Sequence, residues 1–338
     1  MKYKPFILLI IGIGILIGMI LFIGPGNIEE AIKLANPWFV ILAVIIQFIV
    51  YGLWTWRWSI NIKSVGLSVK KIHVFPMLMV GLAINNLTPS ARGGGEPIRG
   101  YILSKYSNST FEKSFATVIA DRGLDTFPFI VLAVITIVAA IFYLNLPDYA
   151  IYSLIIAVSA LVVVFFIALY MSFNLEFGRK VSLWLVKIIK RFSKKDQSKL
   201  EENALKAIHG FQKSMRTMVK DRKVLFQGLP ISFAIWILEI IRVYIIFSAF
   251  NVDVSLLVIA EVFIISTLIG LVPLLPGGLG AVDGIMIVLF SAAGVPPSIS
   301  AAATIVERLI SFWMTSIIGI ALLPYFGTSV VERITKDT

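Results

Sequence analysis

Long apolar segments alternate with short polar ones along almost the whole chain. A helix needs about 20 predominantly apolar residues to cross the hydrocarbon core of a bilayer. Six segments meet this length, and they are residues 6–23, 38–60, 115–143, 151–173, 224–250 and 300–326. The pattern therefore predicts an all-α polytopic membrane protein with about six full spans. Within the fifth span Glu239 and Arg242 are one helical turn apart and can pair.

Two further apolar segments are interrupted by glycine and proline. Residues 72–104 contain Asn85 and Asn86 followed by a glycine run, and residues 255–293 contain Pro276-Gly277-Gly278. Non-helical backbone at membrane depth is tolerated where protein buries it or where it lines a cavity. We therefore predict two re-entrant helical hairpins. A full crossing by residues 72–87 would instead invert every later loop and place the most basic loop outside.

Composition and charge indicate one membrane domain over residues 1–338. Hydrophobic residues make up 58% of the chain and charged residues 14%, and the net charge is +11. Residues 179–223 carry fourteen Lys and Arg against four acids, which predicts a basic cytoplasmic loop. The same rule places both termini in the cytoplasm and argues against a nucleic-acid partner. Residues 181–192 have a basic amphipathic pattern that suits a surface helix, whereas for residues 193–223 a solvated linker fits about as well.

An internal repeat organises the chain. Leu87-x-Pro89-x3-Gly93-Gly94-x5-Gly100 matches Leu271-x-Pro273-x3-Gly277-Gly278-x5-Gly284 without a gap. Ala116-Thr117 before Asp121-Arg122 then matches Ala303-Thr304 before Glu307-Arg308, with a shift of two residues. The first repeat is residues 38–143 with hairpin 72–104, and the second is residues 224–326 with hairpin 255–293. Because the predicted topology inserts the two hairpins from opposite sides, we expect an inverted repeat.

Charged residues and glycines recur inside this apolar sequence, where unsatisfied polar groups cost several kcal/mol. We interpret them as a site for an anionic lipid head group. Guanidinium groups suit a phosphate, helix N-termini beside the glycines favour an anion, and the acids balance the cations, contact a cationic head group or couple protons. The candidate residues are Arg92, Gly93, Gly94, Glu96, Arg99, Asp121, Arg122, Asp125, Gly277, Gly278, Asp283, Glu307 and Arg308.

Two structural interpretations of these residues stay open. Asp121-Arg122 and Glu307-Arg308 could instead lock the hairpins to their neighbours through buried ion pairs. Residues 92–99 could form a cytoplasmic loop that holds lipid phosphates without specificity.

The residue types disfavour catalysis. There is no cysteine and there are two histidines, so no metal, redox centre or other cofactor is expected. No nucleotide-binding loop or Ser-His-Asp set is recognisable. These observations favour a transporter over an enzyme. Two alternatives remain, a membrane-embedded lipid-modifying transferase with Glu96 or Asp121 as base, and a scaffold that docks a lipid-modifying partner enzyme through residues 179–223.

Three motifs carry a family resemblance over roughly residues 5–328. Arg92-Gly93-Gly94-Gly95-Glu96-Pro97-x-Arg99, Asp121-Arg122-x2-Asp125 and Pro276-Gly277-Gly278-x-Gly280 resemble the signatures of the flippase-like membrane domain of the lysylphosphatidylglycerol synthetase/flippase family. Where such members usually show Glu-Arg-x2-Asp, this chain has Asp121, which keeps the charge on a shorter side chain.

The resemblance implies a protein of the cell membrane that moves lipids between leaflets. The cargo would be an anionic or aminoacylated phospholipid or, because related domains occur joined to glycosyltransferases, a polyprenyl-phosphate-linked substrate. In bifunctional members the domain is fused to further spans and to a soluble aminoacyl transferase. This chain shows neither, so the resemblance implies no aminoacylation activity for it.

Overall fold

The computed structural model describes residues 24–88, 93–143, 148–174, 197–272 and 275–327, together with positions 17, 21, 176, 177, 179, 180 and 183. Over these residues the regular structure is helical. The α-helices are α1 Pro25–Leu34, α2 Pro37–Ser64, α3 Lys71–Leu87, α4 Glu96–Tyr106, α5 Phe111–Tyr143, α6 Asp148–Phe173, α7 Gln197–Lys220, α8 Arg222–Ser248, α9 Leu256–Gly270, α10 Ala281–Ala292, α11 Pro297–Arg308 and α12 Thr315–Leu322.

Five helical segments of the described chain are long and apolar enough to cross a membrane. They are Pro37–Ser64, Phe111–Ala139, Ile151–Phe173, Arg222–Ser248 and Pro297–Phe326. These segments coincide with five of the six predicted spans, and the sixth, residues 6–23, lies almost wholly outside the described residues. The prediction of an all-α polytopic membrane protein is therefore confirmed.

Helices α3 and α4 fold back on each other. At one end of the pair the rings of His73 and Tyr106 are 5.0 Å apart. At the other end the Asn85 side chain donates to Glu96 Oε1 (3.0 Å) and accepts from the Gly95 amide (2.6 Å). A Cβ on Gly95 would overlap the carbonyl of Gly81, so glycine permits this close approach. The start of α3 and the end of α4 therefore lie together, at the end of the bundle where α2 ends.

Helices α9 and α10 form a second folded-back pair. Between them Gly277 (φ 55°) and Gly278 (φ 70°) adopt left-handed conformations that strongly favour glycine. The Phe290 ring, near the last turn of α10, lies 4.2 Å from Phe247 in the last turn of α8. At the same end the Asn36 amide, just before α2, donates to the Ala249 carbonyl (2.8 Å). The two folded-back pairs therefore have their open ends at opposite ends of α2.

The centre of the bundle is built from long helices of both halves. Helices α2 and α8 pack along each other in antiparallel directions, since Arg57 contacts Ser232 while Gln47 contacts Arg242. Helix α3 packs along α12, and α9 packs against α5. Thus the first helix of each folded-back pair contacts the last helix of the other half of the chain, α3 contacting α12 and α9 contacting α5.

Two segments differ from the loops that their sequence suggested. Residues 24–36, which connect the first two predicted spans, contain α1, which packs against α11. Residues 197–220, for which a linker fitted as well, form α7, which packs on α5 and α6 with Met215 and Met218 buried. Burial of one apolar face supplies the stability that neither helix gains from length alone. The predicted surface helix at residues 181–192 lies outside the described residues apart from one position.

Candidate functional site

A cavity of about 150 Å³ lies between the turns of the two folded-back pairs. A volume of this size accommodates a group as large as benzene. Helices of both halves line it, and the polar and charged lining side chains are Gln47, Asn85, Asn86, Arg122, Asp125, Glu239, Arg242, Ser266, Thr267, Glu307, Arg308, Ser311 and Thr315. Tryptophans 54 and 236 and Phe312 supply large apolar walls. The site therefore combines charge and apolar surface within one bundle of membrane-capable helices.

Beside the cavity, Arg57 of α2 is the centre of a buried ion cluster. Its Nε donates to Asp121 Oδ1 (2.8 Å), and its Nη1 donates to Asp125 Oδ1 (2.6 Å) and Ser232 Oγ (2.9 Å). Arg99 of α4 donates to the second oxygen of Asp121 at 3.1 Å and stacks 4.1 Å above the Trp58 ring. Three elements are thereby joined through the Asp121 carboxylate.

Arg122 connects the first turn to the cavity. It pairs with Glu96, the first residue of α4, and Glu96 also accepts from Asn85 at the end of α3. The Arg122 side chain keeps 32% of its surface exposed, whereas the Glu96 side chain keeps 6%. Arg122 therefore anchors the turn and still presents guanidinium surface to a ligand.

In the second half Arg242 of α8 lies between two carboxylates. Its Nη1 is 2.6 Å from Glu239 Oε2, and its Nη2 donates to Glu307 Oε1 at 2.9 Å. The pairing of Glu239 with Arg242 that their spacing predicted is thus present. Arg242 also donates to Gln47, and the residue has no exposed surface.

Arg308 connects the second turn to the cavity, as Arg122 does for the first. Its Nη2 donates to the Gly277 carbonyl (3.1 Å), and its Nε lies 2.8 Å from Asp283 Oδ1. Asp283 in turn accepts from the Gly280 amide and so caps α10. A π-helical segment, Leu309–Met314, follows Arg308 directly and places Ser311 and Phe312 in the cavity wall. Such π-bulges are frequently found at functional sites.

The contacts between α2 and α8 are reciprocal. Arg57 donates to Ser232 on α8, and Arg242 donates to Gln47 on α2. Arg242 follows Arg57 by 185 positions, and Ser232 follows Gln47 by the same 185 positions. Each central helix thus contributes one arginine and one polar acceptor at equivalent places.

The structure divides the predicted site residues into groups. Arg122, Asp125, Gly277, Glu307 and Arg308 line the cavity. Glu96 and Asp283 lie one contact behind, through Arg122 and Arg308.

The remaining predicted residues lie away from the cavity wall or outside the description. Arg99 and Asp121 are buried behind the wall, where they pair with each other and Asp121 with Arg57. Gly278 is buried in the second turn, Gly93 and Gly94 precede α4, and Arg92 lies outside the described residues. A role of any of these residues in binding a head group stays a prediction.

Sequence reasoning missed Arg57 and Gln47. Arg57 stands near the end of a span, next to two tryptophans and before Lys63, so it resembled an interfacial cation. It is in fact 2% exposed. Arg57 and Arg242 are 185 positions apart. This spacing lies between the offsets of 184 and 186 residues that relate the two halves in the sequence matches, and it would have identified Arg57.

Comparison with known proteins agrees with this architecture. The transmembrane region of lysylphosphatidylglycerol synthase matches residues 9–319. A UPF0104 membrane protein of Methanothermobacter thermautotrophicus is 58% identical over 99% of both chains. A UPF0104 membrane protein of Methanocaldococcus jannaschii is 33% identical over 98% of this chain and 96% of its own, and one of Pyrococcus horikoshii is 29% identical over 94% and 95%. The chain therefore belongs to the family defined by the transmembrane region of lysylphosphatidylglycerol synthase.

Proposed function

We propose that the protein moves lipids with an anionic or aminoacylated head group, or a polyprenyl-phosphate-linked substrate, between membrane leaflets. The observation that carries the proposal is the cavity between the two turns, whose wall contains both Arg122 and Arg308. Charge at membrane depth is costly and marks substrate pathways when it faces a cavity. The head group passes through this cavity while the acyl chains stay in lipid.

The arrangement of helices supports an inverted repeat with two re-entrant hairpins. The α3–α4 and α9–α10 pairs open at opposite ends of the bundle, and the Arg57–Ser232 and Arg242–Gln47 contacts are reciprocal. Transporters built from inverted repeats bind substrate near the bilayer midplane, at the interface of the repeats. A cavity between the turns of the two pairs, lined by helices of both halves, is consistent with such a binding site.

Arg122 and Arg308 are the groups that hold the phosphate. Each is placed by a carboxylate at the start of a hairpin limb, Glu96 for Arg122 and Asp283 for Arg308. The Nε of Arg308 lies 2.8 Å from Asp283 Oδ1, so Asp283 balances the charge of Arg308 while the site is empty. A phosphate oxygen that accepts from these guanidinium groups would make charge-assisted hydrogen bonds.

Leaflet exchange of labelled phosphatidylglycerol in sealed phosphatidylcholine vesicles tests the proposal. We expect the purified protein to accelerate exchange and Arg308→Ala and Arg122→Ala to slow it about tenfold or more, because a hydrogen bond to a charged group contributes about 1.5–3 kcal/mol. Arg222→Ala, at the exposed start of α8, is the matched control and should exchange lipid like the unaltered protein.

The outcomes separate the candidate functions. Exchange that is equally fast in the Arg308→Ala, Arg122→Ala and control proteins would refute the assigned roles. Folded protein that exchanges none of several lipid classes would refute translocation. A covalently altered lipid in those vesicles would then favour the transferase.

A further inference from the structure

Among the residues that the structure describes, the two halves of the site carry different numbers of charges. In the first half three arginines, Arg57, Arg99 and Arg122, face three acids, Glu96, Asp121 and Asp125. In the second half two arginines, Arg242 and Arg308, face three acids, Glu239, Asp283 and Glu307. The first cluster is therefore neutral when all its groups are ionised, whereas the second carries one excess negative charge.

The excess negative charge lies on the two carboxylates that share Arg242. Within the described part of the chain Arg308 is paired with Asp283, which leaves Arg242 to balance both Glu239 and Glu307. The Arg242 side chain has no exposed surface, and the side chains of Glu239 and Glu307 are 10% and 5% exposed. An uncompensated charge in such surroundings costs far more than it does in water. The Glu239–Arg242–Glu307 triad, as we name it, is thus poised to take up a positive charge.

An anionic head group would increase this imbalance. Glu239, Arg242, Glu307 and Arg308 all line the same cavity, so a phosphate that approaches Arg308 also approaches the triad. At short range in a low-dielectric site, like charges repel strongly. A proton on the triad removes one of these negative charges.

We propose that the Glu239–Arg242–Glu307 triad binds one proton as the anionic head group enters the cavity, so that lipid movement is coupled to proton uptake. The inference rests on the proposed function, because it concerns the same cavity. The proton comes from the water that reaches the cavity and returns to water when the head group leaves. No covalent bond to the lipid is made or broken.

Glu239 is the residue that takes the proton. It lines the cavity and is the more exposed of the two glutamates. Ser266 Oγ, also in the cavity wall, is buried without a hydrogen-bond partner, and a hydroxyl can donate to a carboxylate or accept from a carboxylic acid. The charged and titratable groups on the helices packed against α8 around Glu239 are Tyr51, Arg57, Asp121, Arg122, Asp125, Glu261, Glu307 and Arg308.

Linkage gives the sign of the expected pH dependence. If the proton and the anion bind better together than apart, each raises the affinity for the other by the same factor. Exchange of labelled phosphatidylglycerol should therefore become faster as pH falls through the range in which the triad takes up its proton. A glutamine at position 239 is neutral at every pH and should remove this dependence.

The experiment measures exchange of labelled phosphatidylglycerol in phosphatidylcholine vesicles over a range of pH, with a pH-sensitive dye inside. We expect about a tenfold rise in exchange from high to low pH for the unaltered protein, together with proton movement. Glu239→Gln should give fast, pH-independent exchange without proton movement, and Glu239→Asp should restore the pH dependence. Glu29→Gln, at an exposed ion pair with Lys33, is the matched control and should behave like the unaltered protein.

The outcomes distinguish this inference from the proposed function. Exchange that is independent of pH in the unaltered protein but lost in Arg308→Ala would overturn the proton site and leave the flippase intact. If no variant exchanges lipid, infrared spectroscopy still decides the proton site. Titration should then show a carboxylic acid band that Glu239→Gln removes and that Glu29→Gln, at the exposed ion pair with Lys33, leaves in place. Absence of that band would overturn the inference.

Discussion

Arg57 shows how much a single buried side chain holds together. Its guanidinium group contacts Asp121 and Asp125 of α5 and Ser232 of α8, so one residue of α2 joins three helices. Its charge is balanced by carboxylates that arrive from 64 and 68 positions away in the sequence. The geometry fits a planar fork that binds two acceptors at once.

Arg57→Ala should destabilise the protein by about 3–5 kcal/mol, because it removes the arginine that pairs with Asp125 and one of the two arginines that pair with buried Asp121. Thermal unfolding of the purified protein in detergent measures the effect. Lys33→Ala removes a cation from an exposed pair with Glu29 and should cost no more than about 1 kcal/mol. If the two variants unfolded alike, the Asp121 and Asp125 carboxylates would have to be solvated rather than buried.

At this scale the sequence identified charged residues better than it identified their partners. Arg122 and Glu96 were both expected at the site, and so were Arg308 and Asp283. That each arginine pairs with the acid at the start of a hairpin limb depends on how the limbs fold back, which local sequence does not encode. Arg57 was not among the expected site residues, because Trp56-Arg57-Trp58 has the composition of a membrane interface.

Among the elements, α3 and α12 form a close contact that depends on glycine. The Asn86 side chain donates to Ser316 Oγ (3.1 Å) and to the Phe312 carbonyl (3.3 Å). Near the opposite end of α3, Tyr325 contacts His73 at 2.7 Å. Between these contacts Gly319 lies against the Met79 carbonyl and the Ala83 methyl group, without room for a side chain. Small residues allow such close approach of helices in membranes.

Gly319→Ala should therefore destabilise the protein, because its Cβ would overlap the backbone of α3 and force the two helices apart. We expect a loss of about 1–3 kcal/mol, the usual range for overpacking, measured by thermal unfolding in detergent. Gly52→Ala is the matched control, since Gly52 is also helical and a Cβ there meets no other atom. That variant should be neutral or slightly stabilised, because alanine favours helix by about 1 kcal/mol over glycine. Equal stability of the two variants would contradict the close packing of α3 and α12.

At the scale of elements, the membrane spans could be predicted because the length of an apolar segment shows whether it can cross the bilayer. Spans such as Ile151–Phe173 are recognisable because each carries enough apolar residues to cross the bilayer unaided. Helix α1 was missed, and α7 was left open against a solvated linker, because both helices are polar on one side and gain their stability from packing. The two folded-back pairs coincide with the apolar segments that glycine and proline interrupt, and their re-entrance into the membrane stays a prediction.

For the whole molecule, the sequence match and the reciprocal contacts point to the same duplication. The match relates the loops and closing helices of the two halves, and the Arg57–Ser232 and Arg242–Gln47 contacts extend it to the central helices α2 and α8. The halves nevertheless differ in charge, since Trp54 occupies the place in the first half that Glu239 occupies in the second. Under the proposed proton coupling, this difference means that only one half has to change its protonation.

The orientation of the hairpins gives a test of this architecture. The chain has no cysteine, so one introduced cysteine reports from one known place. Ser68→Cys before α3 and Thr110→Cys after α4 are exposed at one end of the bundle, and Ala293→Cys after α10 is exposed at the other. We expect a membrane-impermeant maleimide to label Ala293→Cys in intact cells and the first two only after the membrane is opened. Labelling of Ser68→Cys and Thr110→Cys from opposite sides would mean that α3 and α4 cross the membrane once and would remove the basis for the inverted repeat. Labelling of all three from one side would mean that both hairpins enter the membrane from that side. The two halves would then not be inverted, and alternating access based on inverted halves would be ruled out.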